Sequence, residues 1–168
     1  KVKKPVFVTG RINQPQIAET IIATGQADMC GMTRAQICDP EMANKAREGR
    51  PDDIRACIGC NQACIGHFHL GYSISCIQFP ESGRELTYGK RQPAARRKRV
   101  LIAGGGPGGM KAAAVAAERG HDVTLYEAGE RLGGQALLAQ LLPGRAEFGG
   151  IVTNLAREVE RAGARVVK

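Results

Sequence analysis

The sequence has few aromatic residues and no long apolar run, and we expect no secretory leader. Aromatic side chains make up 4% of the 168 residues and form no patch interleaved with basic residues, which argues against a surface that stacks nucleic-acid bases. No apolar run is as long as a transmembrane helix, so we expect no membrane span. Six cysteines without a leader indicate a reducing compartment. We therefore expect a cytoplasmic protein whose thiols bind metal or stay free.

The charge balance is basic, with 24 Lys and Arg residues against 16 Asp and Glu residues and a net charge of +8. Such an excess suits an anionic partner, and nucleic acid is one candidate. Nucleotide phosphates and a thiolate-bound metal cluster are also anionic, and the aromatic content does not support nucleic acid. We interpret the charge as that of a protein that binds anionic cofactors, with no nucleic acid partner.

Four cysteines form the strongest motif, with the spacing C-x2-C-x3-C-x11-C: Cys57, Cys60, Cys64 and Cys76. Soft thiolate ligands select zinc or an iron–sulfur cluster. Structural zinc usually takes its ligands as two separated pairs, whereas here three come from one tight loop, so the spacing favours [4Fe–4S]. Zinc and a disulfide framework remain alternatives. Gly59 and Gly66 are predicted to give the loop its backbone freedom.

Residues 5–38 predict two strand–loop–helix units, with PVFVTG as a buried strand and ADMCGMTR as a second short strand. Such units imply a parallel sheet covered by helices, and therefore an α/β fold. Residues 51–92 carry few secondary-structure signals, and we expect a metal centre to organise them. Cys30 and Cys38 do not fit the metal spacing and are predicted to be buried, small apolar residues.

The segment RVLIAGGGPGGMKAAAVAAERGHDVTLYE predicts a strand, a glycine turn, a helix and a second strand. Gly104, Gly106 and Gly109 have the G-x-G-x-x-G spacing of a dinucleotide-binding turn, in which the helix N-terminus faces the phosphates. Glu127 ends the second strand, where a carboxylate can bind a ribose diol. The glycine pair in ERLGGQ is more typical of flavoproteins than of simple dehydrogenases. FAD, or its ADP portion, is the favoured ligand.

Together these motifs resemble one family. ACIGCNQAC, GGGPGG through LGGQ, and LPGR are similar to the flavin and iron–sulfur oxidoreductases typified by trimethylamine dehydrogenase, histamine dehydrogenase and bacterial 2,4-dienoyl-CoA reductase. The resemblance covers nearly the whole chain. It implies an FMN-binding, old-yellow-enzyme-like (β/α)8 barrel, an adjacent cluster and an FAD- or ADP-binding Rossmann-like domain.

The resemblance also implies how the chain is divided. Residues 1–50 would be the last two βα units of the barrel, 51–93 the [4Fe–4S] segment and 94–168 the first part of the nucleotide-binding domain. On this interpretation the chain is a fragment of a larger protein, incomplete and inactive alone. The catalytic acid and base would lie upstream of it, so no catalytic residue is named.

Site residues follow from the same resemblance. Phosphate sites in such barrels form from the loops after strands seven and eight. The FMN phosphate would lie among Gly10, Arg11, Gly31, Thr33 and Arg34. The FAD or ADP contacts would be Gly104, Gly106, Gly108, Gly109, Glu127, Gly134, Gln135 and Arg145.

The implied function is electron transfer in a flavin-dependent oxidoreductase. The segment GHFHLGYSISCIQFPESGRELTYG resembles amine demethylases, including the N-methylproline type, which favours oxidative demethylation or dehydrogenation of a methylated amine. NAD(P)H-dependent reduction of a dienoyl- or enoyl-CoA thioester is the alternative, with NAD(P)H then a cofactor of the full-length protein. An electron-transfer flavoprotein and a second copy of the chain are further candidate partners. A zinc-stabilised nucleotide-binding module without redox activity is the alternative of another class.

Overall fold

A computed structural model of the chain describes residues 3–168, so the first two residues of the predicted segment 1–50 lie outside the described residues. The chain divides into two compact units, the second of which comprises Glu85–Lys168. Both are α/β structures with parallel sheets, as the sequence predicts. No helix described between residues 3 and 168 has the length and apolarity needed to cross a bilayer.

The first unit begins with the two predicted strand–loop–helix units. Its elements are β1 (Phe7–Thr9), α1 (Pro15–Ala23), β2 (Met29–Gly31), α2 (Thr33–Cys38) and α3 (Met42–Arg47). Pro15 starts α1, where its fixed φ suits a first helical turn and its missing N–H costs no hydrogen bond. β1 and β2 pair in parallel, with Val8 opposite Cys30. The carboxyl ends of both strands therefore lie at the same edge.

The predicted burial of β1 is wrong, because Phe7 is 67% exposed. In the described part of the first unit, the sheet consists of β1 and β2, which leaves much of the Phe7 side chain uncovered. The apolar core of this unit lies instead around Ala35, Met42 and Ile54. Cys38 is fully buried as predicted, whereas Cys30 is only half-buried.

Residues 51–84 contain short helical turns: a 3-10 turn at Pro51–Asp53, a π-helical turn at Gln62–Gly66 and α4 (His67–His69). The cysteine loop runs through the last two. This scarcity of regular structure agrees with the sequence, and the loop is positioned by side-chain contacts described below.

The second unit contains the predicted βαβ fold. Its elements are α5 (Glu85–Tyr88), β3 (Arg99–Ala103), α6 (Pro107–Glu118), β4 (Asp122–Tyr126), α7 (Ala136–Ala139), α8 (Gly149–Ala162) and β5 (Arg165–Val167). The sheet order is β3-β4-β5, all parallel, with β4 central.

Helix α6 packs on β3 and β4, and α8 packs on α6. α8 buries Ile151, Leu155 and Val159, which recur every four residues on one face. Lys111 of α6 pairs with Glu158 of α8 at 2.8 Å. Gly163, with a positive φ of 75°, ends α8 in the left-handed conformation that glycine adopts without strain. The end of the chain thus forms a helix followed by a parallel strand.

Candidate functional site

The loops that follow β1 and β2 enclose an open cavity of about 340 Å³, here called the loop cavity. All five residues predicted to hold the FMN phosphate line it: Gly10, Arg11, Gly31, Thr33 and Arg34. Parallel pairing causes this convergence, since it brings the ends of both strands to one edge. The structure thus brings the five residues together, and their role towards phosphate stays a prediction.

The backbone of the first loop is in an uncommon conformation. Gly10 has φ 123°, and Arg11 has φ 54°, which few residues other than glycine adopt. Sparsely populated backbone conformations of this kind concentrate at binding sites, where the surrounding structure maintains them. The second loop lies close to the first, because Thr9 Oγ1 donates a hydrogen bond of 3.2 Å to the Gly31 carbonyl.

The four motif cysteines line a second, smaller space, here called the thiol cavity, of about 20 Å³. Cys57 and Cys64 also line the loop cavity, as does Arg34. The two cavities therefore share a wall. All four cysteines are half-buried, and none of them forms a disulfide.

The turn within the cysteine loop depends on Gly59 and on a residue that sequence reasoning missed. Gly59 has φ 64°, as its predicted flexibility requires, and Asn61 has φ 59°. The prediction for Gly66 is wrong, because it has an ordinary helical φ of −61°. Gly66 instead donates its N–H to the Asn61 carbonyl at 2.8 Å. The tolerance of asparagine for positive φ is the signal that could have identified Asn61.

Three buried polar side chains, none of them predicted, hold the chain leading into Cys57. Asp39 accepts the N–H of Arg55 at 2.8 Å and also pairs with Lys45. Gln78 donates to the Ala56 carbonyl at 2.9 Å, and Asn13 donates to the Cys57 carbonyl at 2.8 Å. No spacing rule connects residues so far apart in the chain. Their burial, at 9% exposure or less, is visible only in the fold.

The environment of the thiols acts on their ionisation in opposing ways. Burial raises the pKa of Cys57 and Cys60, and the backbone N–H groups of Gly59 and Gln62 act against that shift. The Cys38 thiol donates a hydrogen bond to Cys76, which lowers the pKa of Cys76 and raises that of Cys38. Backbone N–H groups directed at sulfur stabilise thiolates and are a common means of tuning metal–thiolate centres.

The four thiols form the donor set of a candidate metal centre. Four thiols around one cavity are the ligands that an iron–sulfur cluster takes, one for each iron. No group of three or more His, Cys, Asp or Glu side chains within residues 3–168 is arranged to hold a metal ion. The thiol cavity has room for about one water molecule. The donor chemistry fits a cluster, and the half-buried cysteine side chains would have to move apart to admit it.

In the second unit the glycine turn has the close packing that its motif predicts. Gly104 has φ 99°, which permits the tight turn after β3. A Cβ atom on Gly109 would lie 1.9 Å from the Gly104 carbonyl oxygen, so only glycine fits there. A Cβ on Gly106 or Gly108 would have no neighbour within 4 Å, which leaves that side of the turn open.

Glu127 contacts the same turn. Its Oε2 accepts the Gly105 N–H and its Oε1 accepts the Gly129 N–H, each at 2.7 Å. These bonds, the one from Gly129 first, lower the pKa of the carboxyl group. Glu127 thus supports the turn directly, a role that sequence reasoning did not foresee, while its predicted ribose contact stays a prediction.

The second glycine pair also packs against the turn. Gly133 donates to the Gly105 carbonyl at 2.8 Å, and a Cβ on Gly134 would lie 3.3 Å from Gly106 Cα. Gln135 is exposed. Arg145 is also exposed, and its guanidinium lies over the ring of Phe148 at 5.3 Å. The structure therefore brings Gly134 to the turn, and the roles of Gln135 and Arg145 stay predictions.

Two family profiles match the chain. Residues 1–53 match the NADH:flavin oxidoreductase / NADH oxidase family, and residues 102–159 match the NAD(P)-binding Rossmann-like domain. The first match ends shortly before the cysteine loop, and the second begins within β3. The resemblance inferred from the motifs is confirmed.

Individual relatives extend the match to nearly the whole chain. An NADH oxidase of Thermoanaerobacter brockii is 44% identical over 98% of this chain and 26% of the relative. An N,N-dimethylglycine/sarcosine dehydrogenase of Chromohalobacter salexigens is 42% identical over 89% of this chain and 22% of the relative. A solved 2-naphthoyl-CoA reductase in complex with 2-naphthoyl-CoA superposes with a TM-score of 0.89 at 35% identity, covering 98% of this chain and 25% of that one. The chain spans about a quarter of the length of the curated relatives it matches.

Proposed function

We propose, given that this chain belongs to the NADH:flavin oxidoreductase family, that it is part of a cytoplasmic oxidoreductase. This part would bind the phosphate of FMN and an iron–sulfur cluster, and it would contain part of a second nucleotide site. One observation carries the proposal. The loop cavity, lined by all five predicted phosphate residues, shares a wall with the cavity lined by the four motif cysteines. A flavin and a cluster bound there would be neighbours.

Each cavity offers chemistry suited to its cofactor. Arg11 and Arg34 provide positive charge at the loop cavity, where a phosphomonoester would be held. Cys57, Cys60, Cys64 and Cys76 would ligate [4Fe–4S]. When bound, FMN would exchange electron pairs with the substrate, and the cluster would pass single electrons to or from a second carrier.

The separation of the four thiols favours a cluster over zinc, and the thiol cavity would have to widen to admit it. A structural zinc ion draws four ligands to within about 2.3 Å of one point. In the described part of the chain no three candidate ligands converge in that way, although the four thiols line one cavity. A cluster requires less convergence, because each thiolate binds a different iron atom.

The second unit is proposed to bind FAD or ADP at the turn formed by Gly104, Gly106 and Gly109. The N-terminus of α6 opens from this turn, so its unpaired N–H groups would face the phosphates. Gly133 and Gly134 brace the turn from the other side. The nearby carboxylate of Glu127 favours an unphosphorylated ribose over NADP.

For the substrate, we propose a methylated amine. Support comes from the similarity to the dimethylglycine/sarcosine dehydrogenase and from the sequence around GHFHLGYSISC. Reduction of a conjugated CoA thioester with NAD(P)H is the second candidate, favoured by the structural similarity to 2-naphthoyl-CoA reductase. Assays of the full-length protein with methylated amines and with enoyl-CoA thioesters distinguish the two. If the full-length protein turns over neither class, the functional assignment is refuted, even if the cofactors are correct.

The cofactor proposal is tested on the purified protein by iron, acid-labile sulfide and zinc analysis with visible spectra. Replacing Cys60 with Ser should abolish the broad visible absorbance, because a ligand is removed. Cys30→Ser is the matched control, since Cys30 lies on β2 outside the thiol cavity, and it should retain the colour. Colourless wild-type protein with stoichiometric zinc would contradict the cluster.

A further inference from the structure

Arg34 stands in the wall between the loop cavity and the thiol cavity. It is the second residue of α2, is half-buried and lines both cavities. Its Nη1 donates a hydrogen bond to Oδ1 of Asn61, which lies between Cys60 and Gln62. A side chain of the loop cavity is thus directly bonded to the cysteine loop.

Asn61 is also a structural part of that loop. Its left-handed backbone turns the chain after Cys60, and its carbonyl accepts the N–H of Gly66, which closes the turn around Cys64. The next residue, Gln62, directs its N–H at the Cys60 sulfur. A displacement of Asn61 would therefore move two of the four thiols.

The chemistry of this contact suits an anion on the opposite side of Arg34. An asparagine oxygen is neutral, so it orients the guanidinium without cancelling its charge. A carboxylate at the same position would orient the guanidinium and also neutralise its charge. The contact uses one of the five N–H donors of the guanidinium. A phosphomonoester in the loop cavity can accept hydrogen bonds from the others in the forked geometry that arginine offers.

We propose that Asn61 is a positioning residue that couples the two cofactor sites: it fixes Arg34 for the flavin phosphate, and phosphate bound to Arg34 in turn orders the cysteine loop through Asn61. This inference rests on the proposed function, because it needs both cofactors. Coupling of two binding events is reciprocal. FMN should therefore protect the cluster, and riboflavin, which has no phosphate, should not.

The test uses cluster-loaded holoprotein and two readouts other than activity. The first is the ratio of the FMN and riboflavin dissociation constants. The second is the rate of iron loss to a chelator under saturating FMN or riboflavin. In the wild type we expect FMN to slow iron loss by roughly fivefold or more relative to riboflavin.

Asn61→Gly keeps the positive φ and removes the side-chain oxygen. It should weaken FMN by roughly tenfold, leave riboflavin unchanged and remove the extra protection by FMN. Asn61→Asp keeps an acceptor for Arg34 but neutralises its charge. It should retain the cluster and lose the preference for FMN over riboflavin. Gln36→Ala, which removes an exposed carboxamide from the same helix, should behave as the wild type.

Three results would overturn this inference and leave the proposed function standing. The first is a wild type that binds both cofactors but loses iron equally fast with FMN and riboflavin. The second is an Asn61→Gly protein with the wild-type affinity ratio. The third is an Asn61→Gly protein that loses FMN, riboflavin and iron to the same extent, as expected if Asn61 were purely structural. A wild type that binds neither FMN nor a cluster would refute the proposed function itself, before any variant is compared.

Discussion

Two adjacent glycines at the start of α6 give opposite expectations for the same substitution. At Gly109 an added Cβ would lie 1.9 Å from the backbone oxygen of Gly104, and a backbone atom cannot rotate away. At Gly108 an added Cβ would meet nothing within 4 Å. Both residues are in the first turn of the helix, so differences in helix propensity between the two sites are small.

The magnitudes follow from these contacts. Overpacking costs about 1–3 kcal/mol and more where the neighbour is rigid, so Gly109→Ala should destabilise the protein by about 3 kcal/mol or more. Gly108→Ala should stabilise it by up to about 1 kcal/mol, because alanine loses less backbone entropy in a helix. For a unit of this size, 1 kcal/mol corresponds to about 4–8 °C in Tm. The two variants should therefore differ by more than about 10 °C.

Urea and thermal denaturation of the nucleotide-free protein, followed by circular dichroism, measure this difference. A nucleotide-binding assay should show a loss for Gly109→Ala, because the turn can no longer close on the helix. Equal stabilities of the two variants would refute the reasoning, since the clash at Gly109 is what separates them.

Two further predictions concern polar side chains that bond to backbone groups. Asn13→Ala leaves the Cys57 carbonyl without its 2.8 Å hydrogen bond, so urea denaturation should show that the free energy of unfolding falls by about 1–3 kcal/mol. A chelator should also remove iron from the variant faster than from the wild type. An unchanged rate of iron loss would contradict a role of Asn13 in the cysteine loop. Glu127→Gln should destabilise the protein at neutral pH, because the carboxylate accepts two backbone N–H groups. Because the pKa of Glu127 is lowered in the folded protein, this stabilisation is fully present above the ordinary carboxyl pKa of about 4.3. It is lost as the pH falls through the lower pKa of the folded state. The stability difference between wild type and variant should therefore shrink at acidic pH.

Local motifs predicted the elements of both units well. The G-x-G-x-x-G spacing correctly implied the tight turn at Gly104 and the close helix approach at Gly109, because both are properties of a short backbone segment. Alternating strand and helix patterns likewise predicted parallel pairing. The burial of Phe7 could not be predicted in this way, because it depends on what covers the sheet and not on the strand itself.

The sequence allowed the candidate ligands of the site to be predicted, but not the side-chain hydrogen bonds that position them. The spacing of the four cysteines identified the thiols that line one cavity, since their proximity is set by a loop of about 20 residues. The bonds from Arg34 to Asn61 and from Glu127 to the glycine turn join residues more than 20 positions apart. No local pattern encodes such contacts, which arise only when the sheet edge and the loop are brought together.

These supports change how the cysteine loop is understood. The scarcity of secondary structure in residues 51–92 predicts a segment organised by a metal centre. In addition, Asp39, Gln78 and Asn13 hold three consecutive residues ending at Cys57, each through a buried side chain of the first unit. Because unmade hydrogen bonds of buried groups are costly, this anchoring orders the first ligand independently of metal. Assembly of a cluster would then begin at a thiol that the α/β scaffold already positions, with the loop after Asn61 completing the ligand set.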